Sequence, residues 1–133
     1  MVQNQASVEP DMTQWTSSTL FFVSDVEAAI DFYIDRFGFT LNMRYEEEGR
    51  ARVAGVSNGD GCAILLTDQW PDKNGTGVLY TALDKDEFTS LKRRLAEKRV
   101  QMEDGFWGRP LLVVTDPGGN QLYFPHPGEV EES

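Results

Sequence analysis

The chain carries one cysteine and one histidine, and both scarcities exclude chemistry. With Cys62 alone, no internal disulfide can form. A cysteine nucleophile needs a base, and His126 stands near the C-terminus among prolines. Cys62, in "GCAILL", therefore reads as a small buried hydrophobe. A site of two histidines and one carboxylate is out of reach for the same reason. Basic residues are also few. Twelve Lys and Arg stand against 22 Asp and Glu, a net charge of −10. Nucleic acid is a poor partner for such a chain, because duplex binding needs a basic face. No apolar run is long enough to span a bilayer, and the N-terminus lacks the basic-then-apolar order of a secretion signal. The expectation is a cytoplasmic protein without a membrane partner, and the single cysteine fits a reducing compartment.

Enough is present to build a core. Hydrophobic residues make up 40% of 133 positions, which suits one domain or two small halves sharing an interior. The acidic balance serves solubility, and its field favours a cationic small molecule. Part of it lies in the tail "GEVEES" and in Glu46-Glu47-Glu48.

Residues 1–16 are polar and aperiodic and read as an N-terminal arm, with Trp15 as its one large aromatic. Ser18 to Val23 then reads as a strand. Ser24 and Glu27 have the spacing of a capping box, and the helix after them places Val26, Ala29, Ile30, Tyr33 and Phe37 on one stripe. Gly38 is the expected left-handed stop. Three strands follow, in "FTLNMRYEEEG", "RARVAGVSNGDG" and "CAILLTD". After the loop "QWPDKNGTG" the order starts again. Gly77 to Leu83 is a strand, and Asp84 caps a helix with Phe88, Leu91 and Leu95 on its apolar side. The last three strands are "VQMEDGFW", "PLLVVTD" and "NQLYFP", the final two joined by the turn Asp116-Pro117-Gly118-Gly119-Asn120.

The chain thus reads β-α-β-β-β twice, an internal repeat that defines an architecture. The fold class is α+β, with two curved half-barrel sheets, helices outside and concave faces open. The organisation is an arm over 1–16, one domain over 17–127 with repeats 17–69 and 76–127, and an acidic tail over 128–133.

These motifs resemble the vicinal oxygen chelate superfamily of glyoxalases, extradiol dioxygenases and bleomycin resistance proteins. "FVSDVEAAIDFYIDRFGF" (Phe22 to Phe39) and "FWGRPLLVVTDPGGNQLYF" (Phe106 to Phe124) carry the resemblance. The Trp-Gly-Arg string with Asp-Pro-Gly-Gly-Asn is similar to the bleomycin resistance branch. The likeness covers about Thr16 to Pro127. It implies that a divalent metal, where the catalytic branches hold one, would meet Ser18, Leu65, Gly77 and Tyr123. Leucine and glycine side chains cannot bind a metal, and serine and neutral tyrosine are poor ligands. The expectation is therefore no catalytic residue, no metal and no cofactor. Small members of the superfamily complete one cup from two chains, so the resemblance also implies a homodimer.

Alternation from those register points turns Ser18, Leu20 and Phe22, then Ala63, Leu65 and Thr67, then Gly77, Leu79 and Thr81, then Gln121 and Tyr123 toward the cup. Thr19, Phe21, Val23, Leu122 and Phe124 should pack under the helices. Trp70 and Trp107 belong on the rim. The candidate binding residues are Ser18, Phe22, Leu65, Trp70, Leu79, Trp107, Gln121 and Tyr123. The function they point to is sequestration of an antibiotic-like, planar or cationic molecule by burial and stacking. The alternatives are a divergent metal-dependent glyoxalase- or dioxygenase-type enzyme, and a ligand-binding module without a resistance role.

Overall fold

The computed structural model describes residues 16–59 and 61–128. The expected arm up to Trp15, Asp60, and residues 129–133 of the acidic tail lie outside them. β1 (Thr19–Phe22) buries Phe21 and leaves Phe22 half-buried, as alternation requires. The cap that follows differs from the expected box. Asp25, not Ser24, starts α1 (Val26–Asp31), its carboxylate accepting from the Ala28 amide at 3.1 Å. Glu27 does not reach back, because it serves the sheet instead. It accepts from the Ala51 amide at 2.9 Å and pairs with Arg44 at 2.7 Å. The Arg44 guanidinium, then the Ala51 amide, hold its carboxyl below the usual range.

The stripe Val26, Ala29, Ile30, Tyr33 and Phe37 is buried as expected. The helix widens into a π turn over Phe32–Arg36 before Gly38, at φ +77°, ends it. Arg94 of the second helix satisfies the widened end, donating to the carbonyls of Asp35 at 2.8 Å and Arg36 at 2.9 Å.

β2 (Thr40–Glu47), β3 (Arg50–Ser57) and β4 (Ala63–Thr67) complete a first sheet of order β1-β4-β3-β2, with β1 parallel to β4. β5 (Val78–Tyr80), α2 (Lys85–Glu97), β6 (Met102–Phe106), β7 (Pro110–Thr115) and β8 (Gln121–Pro125) repeat the pattern. The second sheet has order β5-β8-β7-β6, with β5 parallel to β8. Asp84 caps α2 as expected, accepting from the Glu87 amide at 2.8 Å. β5 is shorter than the Gly77–Leu83 run, because the chain leaves the sheet for that cap. Among the described residues no helix is long and apolar enough to cross a membrane.

One core runs through both repeats: Phe21, Val26 and Tyr33 from the first meet Leu95, Leu122 and Phe124 from the second. A polar joint crosses it. Tyr33 donates its hydroxyl to Asp116 at 2.8 Å, and Asp116 also accepts the amides of Gly118 and Asn120, both at 2.9 Å. Asn120, fully buried, accepts from the Gly77 amide at 2.8 Å and donates to the Phe22 carbonyl at 3.1 Å. The joint leaves no room at Gly77, where a Cβ would lie 2.6 Å from the Phe21 ring.

Burial is the largest influence on Asp116 and pushes its carboxyl up, while the hydrogen bonds from Tyr33 and from the Asn120 and Gly118 amides oppose that shift. For a carboxyl raised in the fold, the cost of burying its charge is fully present above the raised value. The cost vanishes as pH falls below the unfolded carboxylate range. Tyr33→Phe removes a donor from the ionised form. We expect a loss of about 1–3 kcal/mol near neutral pH, shrinking on acidification as Asp116 takes up its proton. Chemical unfolding of both proteins across that range checks this. A loss that grows on acidification contradicts it.

Candidate ligand-binding faces

Strand register fixes what each concave face presents. On the first sheet, Leu20, Leu65, Gly55 and Met43 form one row across the strands, and Phe22, Thr67, Val53 and Tyr45 the next. Leu20, Met43 and Tyr45 are exposed despite their apolar bodies. Phe22 and Trp70 meet edge to face, with ring centroids 5.8 Å apart. Three charged groups border this face. Arg52 binds Asp68 at 2.8 Å and Glu47 at 3.0 Å, and Tyr45 donates to Glu47 at 3.0 Å. That bond raises the Tyr45 hydroxyl above its ordinary value.

The second sheet holds the larger hollow, about 600 Å³, lined by Val78, Tyr80, Gly105, Phe106, Trp107, Leu111, Val113 and Tyr123. Phe106 is 75% exposed and Trp107 69%, an uncovered aromatic surface. Local structure holds the indole at the rim. The Trp107 amide donates to the Arg109 carbonyl at 3.0 Å, and Gly108, at φ +75°, makes the turn between them. Tyr80 stands edge-on to Trp107 at 5.8 Å. Gly105 keeps the floor flat, since a Cβ there would come within 2.9 Å of Val113. The side chains lining this hollow carry no charge, and their polar atoms are the Tyr80 and Tyr123 hydroxyls and the Trp107 indole N–H. Such a lining buries and stacks a guest. It offers no obvious acid or base at neutral pH.

Of the residues expected in the site, Trp107 and Tyr123 share this hollow. Gln121 lies beside them, accepting from the Tyr123 hydroxyl at 3.3 Å. Phe22, Leu65 and Trp70 belong to the first sheet's face and do not line the second hollow. Ser18 is exposed ahead of β1. Leu79 is a correction. It pairs with buried Leu122 and packs on the core, so Val78 and Tyr80 take the concave positions of β5 instead of Gly77, Leu79 and Thr81. Phe106, Tyr80 and Val78 were not among the expected residues. The signal for Val78 and Tyr80 is present in "VLY" laid beside "QLY", which puts leucine opposite leucine and tyrosine opposite tyrosine.

The positions where the resemblance places a metal do not fit one. Leu65 and Gly77 supply no donor atom, and Phe21 and Asn120 fill the space where a Gly77 side chain would begin. The Tyr123 hydroxyl is bonded to Gln121. Among the described residues no three His, Cys, Asp or Glu side chains converge as a metal site would need. Behind the sheets, Cys62 borders a second cleft of about 320 Å³ between the repeats, and burial pushes its thiol up, away from the reactive thiolate.

A family model described as the glyoxalase/bleomycin resistance protein/dioxygenase superfamily matches residues 15–124. No curated protein matches in sequence. Among solved structures, the antibiotic-binding protein TnmS3 from Streptomyces sp. CB03234 is 26% identical, with a TM-score of 0.67 over 86% of this chain and 97% of its own. The bleomycin-binding protein of Streptomyces verticillus, complexed with copper(II)-bleomycin, is 22% identical, with a TM-score of 0.64 over 87% and 98% of the two chains. A lactoylglutathione lyase from Agrobacterium tumefaciens is 20% identical, with a TM-score of 0.62 over 88% and 95%. At that identity the last two share the fold, and the fold is common to binders and enzymes.

Proposed function

Because the chain belongs to the glyoxalase/bleomycin resistance protein/dioxygenase superfamily, we propose that it is a non-catalytic binding protein that sequesters a planar, antibiotic-like molecule in its aromatic cup. The observation that carries this reading is the uncovered wall of Phe106, Trp107 and Tyr80 above a hollow lined by uncharged side chains. A flat guest gains most there from burial and stacking. The antibiotic-binding relative, itself 26% identical, supports a guest of that class. The enzyme reading has less behind it, since the donor set at the family's metal positions cannot coordinate an ion.

The working unit in this proposal is a cytoplasmic homodimer. One chain exposes two concave apolar faces, Leu20, Met43 and Tyr45 on the first sheet and Val78, Tyr80, Phe106 and Trp107 on the second. A two-fold pair sets the first face of each copy over the second face of its partner and makes two equivalent cups. Fluorescence titration tests the reading. Metal-free bleomycin and flat polycyclic drugs are expected to quench the tryptophans, at one ligand per cup for any that bind. Sedimentation should give twice the chain mass. Absence of quenching across the panel, or turnover of the compound that binds, overturns it.

A further inference from the structure

Asp68 and Glu47, which border the first face, are both bound by Arg52. Lys73 is different. Its ammonium lies 5.4 Å over the Phe22 ring and makes no bond to a carboxylate among the described residues. Its backbone is held in place. Lys73 ends a 3-10 turn begun by Pro71, its amide donates to the Trp70 carbonyl at 2.9 Å, and its carbonyl accepts from the Thr76 hydroxyl at 2.7 Å. Trp70 packs on the same Phe22 ring at 5.8 Å. A cation therefore already occupies the face of the aromatic pair at this end of the cup. Across the second sheet, the unpaired Glu103 stands on edge strand β6, outside the lining of the large hollow.

We propose that Lys73 selects the charge of the guest. The cup takes a flat ring system carrying an anionic oxygen, a carboxylate or phenolate, which meets the Lys73 ammonium while the rings lie on aromatic walls. A cationic guest is disfavoured, because its charge would displace or face Lys73. This inference rests on the proposed binding function and reverses the sign of charge that the net value of −10 suggests. The net field acts at long range and is screened within about 10 Å in ordinary salt. The contact is local, and a charge-assisted bond is the stronger kind.

Three ring-matched probes test it by calorimetry at a mildly alkaline pH: acridine-9-carboxylate, neutral acridine and cationic 9-aminoacridine. The carboxylate is expected to bind most tightly. Lys73→Met should weaken it about tenfold and leave acridine within about threefold. Lys85→Met, the same charge change at the exposed start of α2, should leave all three unchanged. Tighter binding of 9-aminoacridine, or equal losses in both variants, overturns the selection by Lys73 while leaving the binding function standing. Binding of none of the three removes both.

Discussion

Asn120→Ala is expected to lower the unfolding free energy by about 3 kcal/mol and the melting temperature by about 10 °C. The side chain is fully buried and bridges the repeats, accepting from the Gly77 amide and donating to the Phe22 carbonyl. Phe22 keeps a second donor, the Gly75 amide at 3.1 Å, but the Gly77 amide loses its side-chain partner. An unpaired, partly buried amide and a small cavity together account for the loss. The site cannot collapse to repair it. Gly77 is pressed against Phe21, and Gly118 leaves no room for a side chain beside Val23. Thermal and urea unfolding should agree on the loss. A change under about 1 kcal/mol would mean that apolar packing alone joins the repeats.

Trp107→Ala should give the opposite profile. The indole is 69% exposed, and its side chain meets Tyr80 at an edge. Removing it should leave the melting temperature within about 2 °C of the parent, as surface substitutions do. Affinity for any planar compound that quenches the tryptophans should fall about 30-fold or more, the scale of a buried aromatic anchor. Binding is followed by calorimetry, since the variant loses one reporter. Unchanged affinity would place the guest away from the second sheet.

The architecture was legible because its signals repeat. Two aspartate-led helix starts, two apolar stripes and two runs of three strands gave the β-α-β-β-β order in both halves. The turn from Asp116 to Asn120 read as a corner, and it is one, with Asp116 bonding back to Gly118 and Asn120. Its second role was hidden. That Asp116 also meets Tyr33, 83 residues earlier, depends on how the repeats dock. Ser24 and Asp25 are both good caps, so the sequence does not separate the observed cap from its neighbour one residue earlier. Glu27, the expected return partner, was claimed by Ala51 and Arg44 across the sheet.

The faces of β5 were harder. In a strand with leucine on one side and valine and tyrosine on the other, polarity does not mark the buried side, and a slip of one residue exchanges the faces. Alternation from Gly77, a register point taken from the resemblance, turns Leu79 to the cup, whereas pairing with Leu122 takes it to the core. β8 carried the clearer signal, with Leu122 and Phe124 buried between half-buried Gln121 and Tyr123. The aromatic string at Phe106 and Trp107 was visible as a motif. Its exposure depends on the Gly108 turn and the bare floor at Gly105.

The central claim is that the cup holds its guest by contact and charge, with no coordinated ion taking part. Equilibrium dialysis with acridine-9-carboxylate, run on protein stripped with a chelator and on untreated protein, tests this most directly. The account predicts the same affinity in both samples and recovery of the compound chemically unchanged. Binding that vanishes with the chelator and returns with a transition metal, or a converted product in the dialysate, would contradict it.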